Sequence, residues 1–428
     1  MAASRRSAKR RSSIRKRHDA SPGTRIEKDL LGERAVPADA LYGIHTVRAV
    51  ENLGFSGRIL ANYPDYIRAL AIVKKAASRA NHDAHVIDAR RQNAIERACD
   101  ALIRGEHLAH FPIDMLGGGG SIAVNMNLNE VIANLANEHL GGARGTYKPV
   151  HPKTHVNASQ STADVCHTAV RMTVLNRWNG LRRVLTQCVA TFRKKAAELR
   201  PVMTISRTCL QDASPVSLGE LFGGHAEVIS RRTAELTQSV KALTRINLGG
   251  TAIGSGSGAS ASYRRVIVKR LNEVTEQKFT LRPNLYDAAQ NIDDLAAVSA
   301  QLAMLAEVLI KIAQDLRLLA SGPNGGFGEI ILPAVQEGSS IFPGKINPVI
   351  PETMIQCCFQ VLGCERVARL ALERGELNLN VFEGAAAVNV FDAIEMMERS
   401  VALFSDRCVS GITANKKRCK ELAACARY

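Results

Sequence analysis

The chain has 428 residues, 46% of them hydrophobic, and a formal net charge of +16 from 56 Lys or Arg against 40 Asp or Glu. That much apolar material can bury a large core, and the length suits two or three domains. No run of 18 or more apolar residues appears, so no membrane span is expected, and the ten cysteines form no CxxC pair of the zinc-binding kind.

Residues 1–18 carry eight Lys or Arg and no acid, so about half of the excess charge sits in one block. Such a block reads as a basic disordered tail, assigned to 1–24. An arm on polyanions is the alternative, but no aromatics interleave with these arginines, so nucleic acid is not the expected partner. The start lacks the apolar stretch of a secretory signal; an Arg- and Ser-rich opening also suits a mitochondrial presequence, and the cytoplasm is the default. Positive charge elsewhere would concentrate an anionic substrate.

Residues 25–155 read as an N-terminal domain of short helical stretches and loops, punctuated by Pro37, Gly43, Pro64, Pro112 and the glycines 117–120. From 156 to 410 the pattern becomes a bundle of long helices, with candidates near 168–199, 216–245, 292–320, 349–374 and 386–407. The segment 292–320 is apolar or small around much of its circumference, which predicts a helix surrounded by others, within one chain or between subunits. Between the helices lie three Gly- and Ser-rich loops: 248–258 (LGGTAIGSGSG), 321–328 (SGPNGGFG) and 337–345 (EGSSIFPGK). No GxxxxGK[ST] occurs and no GxGxxG follows a strand, so a nucleotide cofactor has no support. Taken alone, GSSIFPGKINP at 338–348 is either a flexible surface loop or a mobile site in which Lys345 neutralises a carboxylate and Asn347 donates and accepts.

That stretch resembles the GSSxMPxKxNP loop of the aspartase/fumarase superfamily, with Phe342 at the methionine position. The likeness runs from about residue 25 to 420. Residues 25–52 (RIEKDLLGERAVPADALYGIHTVRAVEN) resemble the start of aspartate ammonia-lyases more than that of fumarases. VNMNLNEVIAN at 124–134, HVNASQSTAD at 155–164, RTCLQDASPVSLGELF at 207–222, DLRLLASGP at 315–323 and GITANK at 411–416 follow in the family's order.

The resemblance implies a mainly α fold with a central long-helix bundle, a homotetramer whose active sites are shared between subunits, and a small dicarboxylate substrate. It implies elimination of ammonia from L-aspartate to give fumarate, with fumarate hydratase, another dicarboxylate lyase or a catalytically impaired homologue as alternatives. Ser339 matches the general base that takes a proton from the carbon beside a carboxylate. Lys345 and Asn347 match carboxylate anchors, Ser161 and Thr162 the hydroxyl donors at the other end, Thr208 a pocket threonine, and Ser340 adds a hydroxyl. Glu352 matches the acid that orients a pocket histidine in fumarases, and Gly338 and Gly344 suit the hinges of a lid. The chemistry requires neither metal nor organic cofactor, and a divalent activator stays open.

Several positions depart from the family pattern. Ile122 stands at a threonine position, where Ser121 is a candidate substitute. Ala163 stands at an asparagine, His167 at a proline, and Cys209 at the pocket histidine. Cys209 is expected to be a passive wall, and His167 is placed on the first turn of a helix in a structural or capping role. Family members continue some fifty residues past GITANK, so 411–428 reads as the remnant of a truncated C-terminal domain.

Overall fold

The structure, a computed structural model, describes residues 23–426; nearly all of the basic tail and Tyr428 lie outside them. The first described element is a hairpin, β1 (Thr24–Asp29) against β2 (Gly32–Pro37), in register from Thr24↔Pro37 to Asp29↔Gly32. Then come α1 (Ile44–Leu53), α2 (Pro64–Asp83), α3 (Ala89–Ile103) and α4 (Ile122–His139). Two of these are longer than the short stretches expected. α2 starts with proline at its first position, where a missing N–H costs nothing, and buries a face of Ile67, Leu70, Val73 and Ala77. α4 is buried nearly all round although five of its eighteen residues are asparagine.

The core is five long helices. α5 (Thr162–Leu199) has 38 residues, about 57 Å at 1.5 Å per residue. The hairpin β3 (Met203–Thr208) and β4 (Gln211–Ser217) leads into α6 (Leu218–Ala242). Beyond come β5 (Arg245–Ile246), α7 (Ala261–Thr275), β6 (Thr280–Leu281), α8 (Leu285–Gln290) and α9 (Asp293–Leu319). After β7 (Ile330–Ile331) follow α10 (Val349–Glu373), α11 (Glu383–Arg407), β8 (Thr413–Ala414) and α12 (Lys416–Ala424). α5 packs on α6 and α11; α9 packs on α6, α10 and α11; α10 lies along α11. The fold is mainly helical, and the five helices expected in the core are present. α5 begins six residues and α11 three residues ahead of their expected starts, because both open on capping or loop residues that apolar spacing does not mark.

α9 is long and apolar enough, with a mean hydropathy of 1.8 over its best window, to cross a membrane by composition alone, but half of that window is buried in the bundle. Its inner stripe, Leu295, Leu302, Leu305, Leu309, Ile312 and Leu316, is at most 1% exposed, while Met304 and Leu318 on other faces are 42% and 44% exposed. Six of the ten cysteines are buried as small core side chains.

Candidate active site

The head of α5 is built by side-chain capping. Ser161 Oγ accepts from the Ala163 N–H at 3.3 Å, and Asp164 Oδ1 accepts from the Ser161 N–H at 2.9 Å, a reciprocal capping box. Asp164 Oδ2 also takes the N–H groups of Gly249 and Thr251 at 3.0 and 3.1 Å, which fastens the Gly-rich loop after β5 to the helix. Thr162 Oγ1 accepts from Asn125 Nδ2 at 2.9 Å. Asn125 donates as well to Asn157 Oδ1 at 3.0 Å, an oxygen that also takes Lys74 Nζ at 2.9 Å and Asn129 Nδ2 at 3.2 Å. Burial drives the Lys74 ammonium down to about 7 despite Cys166 and Asp164 nearby.

An oxygen that already accepts leaves its own hydroxyl hydrogen to donate elsewhere. Both Ser161 and Thr162 are therefore prepared donors at the N-terminus of a long helix, where backbone N–H groups and the helix dipole favour an anion.

A small cavity opens beside them. Its wall includes Ser121, Thr162, Ala163, His167, Asn247 and Glu383. Ser121 sits in the left-handed region at φ 67°, and a Cβ on Gly384 would come within 3.1 Å of its Oγ, so the glycine at the start of α11 lets the two elements meet. Ile122 is 48% exposed and contributes no polar atom.

His167 corrects the expected placement: it is the sixth residue of α5, one turn further in than expected, and caps nothing. Its Nδ1 lies 3.2 Å from Glu383 Oε1. Glu383 also pairs with Arg171, whose Nε and terminal nitrogen grip both oxygens of Asp294 at 2.8 and 2.7 Å. Arg171 has no exposed surface. Burial would raise the Asp294 carboxyl, but the guanidinium outweighs it and brings the group down to about 2. Burial and then Arg171 push His167 down, against the opposing pull of Glu383.

The loop 338–347 is closed on itself. Gly338 N–H donates to Lys345 O at 2.8 Å and Asn347 Nδ2 donates to Gly338 O at 2.7 Å. A Cβ at Gly338 would sit 2.5 Å from Lys345 O, so this close approach within the loop requires glycine; Gly344 adopts φ +79°. Ser339 Oγ accepts two backbone N–H groups, from Ile341 at 3.1 Å and Phe342 at 2.9 Å. Two fixed donors on one hydroxyl oxygen stabilise negative charge there, the property a serine needs to act as a base. Ser340 and Lys345 are exposed, and among the described residues no carboxylate pairs with Lys345.

Thr208 and Cys209 lie on the tip of the β3–β4 hairpin, both exposed. The tip turns through Cys209 and Leu210, both at positive φ (52° and 61°). Next to the tip the hairpin is tied down by Arg207, which bonds buried Glu329 at 2.6 Å and stacks on the Phe327 ring at 4.3 Å. Glu352, on the first turn of α10, pairs with Arg317 at 3.2 Å rather than with a histidine.

The chain thus brings Ser121, Ser161 and Thr162 together at the head of α5. Neither Thr208 and Cys209 nor the loop 338–348 forms any part of that cavity's wall. A larger cleft of 480 Å³ between the hairpin, α6 and α9 holds none of the expected site residues. Asn125, Asn247 and Glu383 are the polar groups missed in the sequence; Asn125, inside the 124–134 motif, and Asn247, directly ahead of the glycine-rich loop, carried local hints.

A family profile described as Lyase matches residues 32–363. The chain belongs to the aspartase/fumarase superfamily of lyases. It is 43% identical to an aspartate ammonia-lyase of Pseudomonas fluorescens over 399 residues, 93% of this chain and 84% of that one. It is 39% identical to an aspartate ammonia-lyase of Escherichia coli over 401 residues, 94% and 84% of the two chains. Among solved structures, a fumarate lyase from Brucella melitensis bound to cobalt superposes with a TM-score of 0.91 at 44% identity, covering 93% of this chain and 86% of that one. A class II fumarase from Schistosoma mansoni gives 0.89 at 28% identity, with 93% and 87% covered. The lyase fold therefore spans nearly all of the described residues.

Proposed function

We propose that this lyase is an aspartate ammonia-lyase, a carbon–nitrogen lyase that reversibly eliminates ammonia from L-aspartate to give fumarate. The observation that carries the reading is the sustained identity, 39–43% over 93–94% of the chain, to proteins named for that activity. The site geometry supports it. Ser339 Oγ, held by two N–H groups, removes a proton from the carbon beside one carboxylate. The C–H electrons move into that carboxylate, giving a doubly charged aci-carboxylate; they then return to form the double bond as the C–N pair leaves with ammonia. Ser161 and Thr162 at the head of α5 donate to one carboxylate, while Lys345 and Asn347 meet the other, with Ser340 and Thr208 beside them.

These groups lie on three segments, and neither the hairpin tip nor the loop lines the cavity at the head of α5, so the active enzyme is read as a homotetramer with sites assembled between subunits in the cytoplasm. The outward faces of α6 and α9, with their open cleft and exposed Met304 and Leu318, supply the surface for such packing.

Fumarate absorbs in the near ultraviolet, so the purified chain is offered L-aspartate and L-malate separately. Fumarate from aspartate is the expected result. Fumarate from malate alone would transfer the reading to a hydratase, and none from either would favour an impaired homologue. Ser339→Ala is expected to lower kcat by about 10²–10⁴-fold, the worth of a positioned base.

A further inference from the structure

The cavity at the head of α5 contains two buried acceptors that no described residue satisfies. His167 is 2% exposed and Asn247 1%. Both line the cavity, and among the described residues neither His167 Nε2 nor Asn247 Oδ1 has a hydrogen-bond partner. The other ring nitrogen decides what Nε2 offers. Nδ1 faces the Glu383 carboxylate at 3.2 Å, and an ionised carboxylate only accepts, so Nδ1 carries the hydrogen. Burial, with Arg171 beside it, favours the neutral ring, which leaves a lone pair on Nε2. Buried acceptors without partners are rare in folded proteins and call for a group that completes them.

The Thr162 hydroxyl on the same wall is assigned to a substrate carboxylate, so these two acceptors call for a donor that the substrate itself brings. The free space is about 20 Å³, close to what a single water-sized group occupies. Charge points the same way, because Asp294 and Glu383 set two carboxylates against the one guanidinium of Arg171. Ala163, one turn ahead of His167 on α5, also lines the cavity, and its methyl leaves the imidazole open to the site.

We propose that this cavity seats the amino group of the substrate, its ammonium donating to His167 Nε2 and Asn247 Oδ1. Glu383 is the positioning residue that fixes the ring. A hydroxyl in the same place has a single hydrogen and no charge, so it satisfies one acceptor and leaves the other bare. The cavity thereby selects an amino acid over the corresponding hydroxy acid. This inference rests on the reading of the chain as an L-aspartate lyase.

The test compares L-aspartate with succinate, which keeps both carboxylates and lacks the amino group. Binding of each is measured by calorimetry on the full chain carrying Ser339→Ala, which suppresses turnover. L-aspartate is expected to bind more tightly than succinate. Adding His167→Leu is expected to weaken L-aspartate about 10- to 100-fold, the worth of a hydrogen bond to a charged group. Succinate should change by no more than about twofold, which also reports that the site remains folded. His167→Gln keeps an acceptor oxygen and is expected to recover part of the loss. No preference for L-aspartate at the outset, equal weakening of both ligands, or no weakening in His167→Leu would overturn the proposal. Turnover by the unaltered chain is read separately. If it makes no fumarate from L-aspartate while the binding gap still depends on His167, the activity is wrong and the amino pocket stands.

Discussion

Arg171, fully buried, backs Glu383 on the cavity wall, and removing it takes the shared cation from two carboxylates. Asp294 and Glu383 then lose the partner that both share. Arg171→Leu is expected to cost about 3–5 kcal/mol, the usual penalty for breaking a buried pair from one side. The pH dependence gives this a sign. The folded Asp294 carboxyl lies at about 2, below its ordinary 3.8, so its contribution is complete above 3.8 and fades as the pH falls toward about 2. In Arg171→Leu the same carboxyls are buried without the guanidinium they share, so acid relieves them. The stability gap between wild type and variant should narrow as the pH is lowered, followed by urea unfolding at several pH values; a gap independent of pH would show that the cluster is not electrostatic in origin.

Thr162 offers a cleaner probe of function, because its oxygen already has a fixed donor in Asn125. Thr162→Val keeps the shape and deletes the hydroxyl, so kcat/KM for L-aspartate is expected to fall about 10- to 100-fold, the range for one hydrogen bond to a charged ligand. The melting temperature should move little. A fall in stability with no change in kcat/KM would make Thr162 a cap residue and nothing more. These hydroxyls were legible in the sequence because they sit in a compact, ordered motif. The deep wall was not: His167 and Glu383 are 216 positions apart, and only the crossing of α5 and α11 brings them together.

Among the elements, α4 shows how polar residues can specify a buried helix. Asn134 donates to Leu41 O and accepts from Gly145 N–H, and Asn137 does the same with both backbone groups of Val150. Each asparagine satisfies loop groups that would otherwise be buried without partners. Because five of the helix's fourteen buried residues are asparagine, apolar spacing gives little sign of it, and the segment reads as short and broken. Glu130 extends the device to the start of α1. Its two oxygens accept the N–H groups of Gly43, His45 and Thr46 and the hydroxyl of Thr46. Glu130→Gln is nearly the same shape but turns an NH₂ toward donors, so it is expected to cost about 1–3 kcal/mol, visible as a lower urea midpoint. An unchanged midpoint would mean that water replaces the cap. The hairpins were hidden for a related reason. Their turns carry Leu30–Leu31 and Cys209–Leu210 in place of the Asn and Gly that usually mark them, and Asp29 Oδ1 holds the first turn by accepting from the Leu31 N–H.

At the scale of the whole molecule, the proposed catalytic groups lie apart: the base on the loop before α10, the threonine on the β3–β4 hairpin, the hydroxyl donors at the head of α5. A site assembled from different subunits has a consequence that no single-chain site shares. Thr162→Val and Ser339→Ala each disable a different segment, so the proposed tetramer, when it contains both variants, can still bring an intact α5 head from one subunit to an intact loop from another. When the two are co-expressed in equal amounts and assemble at random, each site has an even chance of receiving each good segment. About one quarter of the sites are then whole, and the mixture should recover about that share of wild-type activity, far above either variant alone. Separate purification followed by mixing without unfolding tests whether exchange is needed. A co-expressed mixture no more active than the average of its two parents would mean that each chain completes its own site.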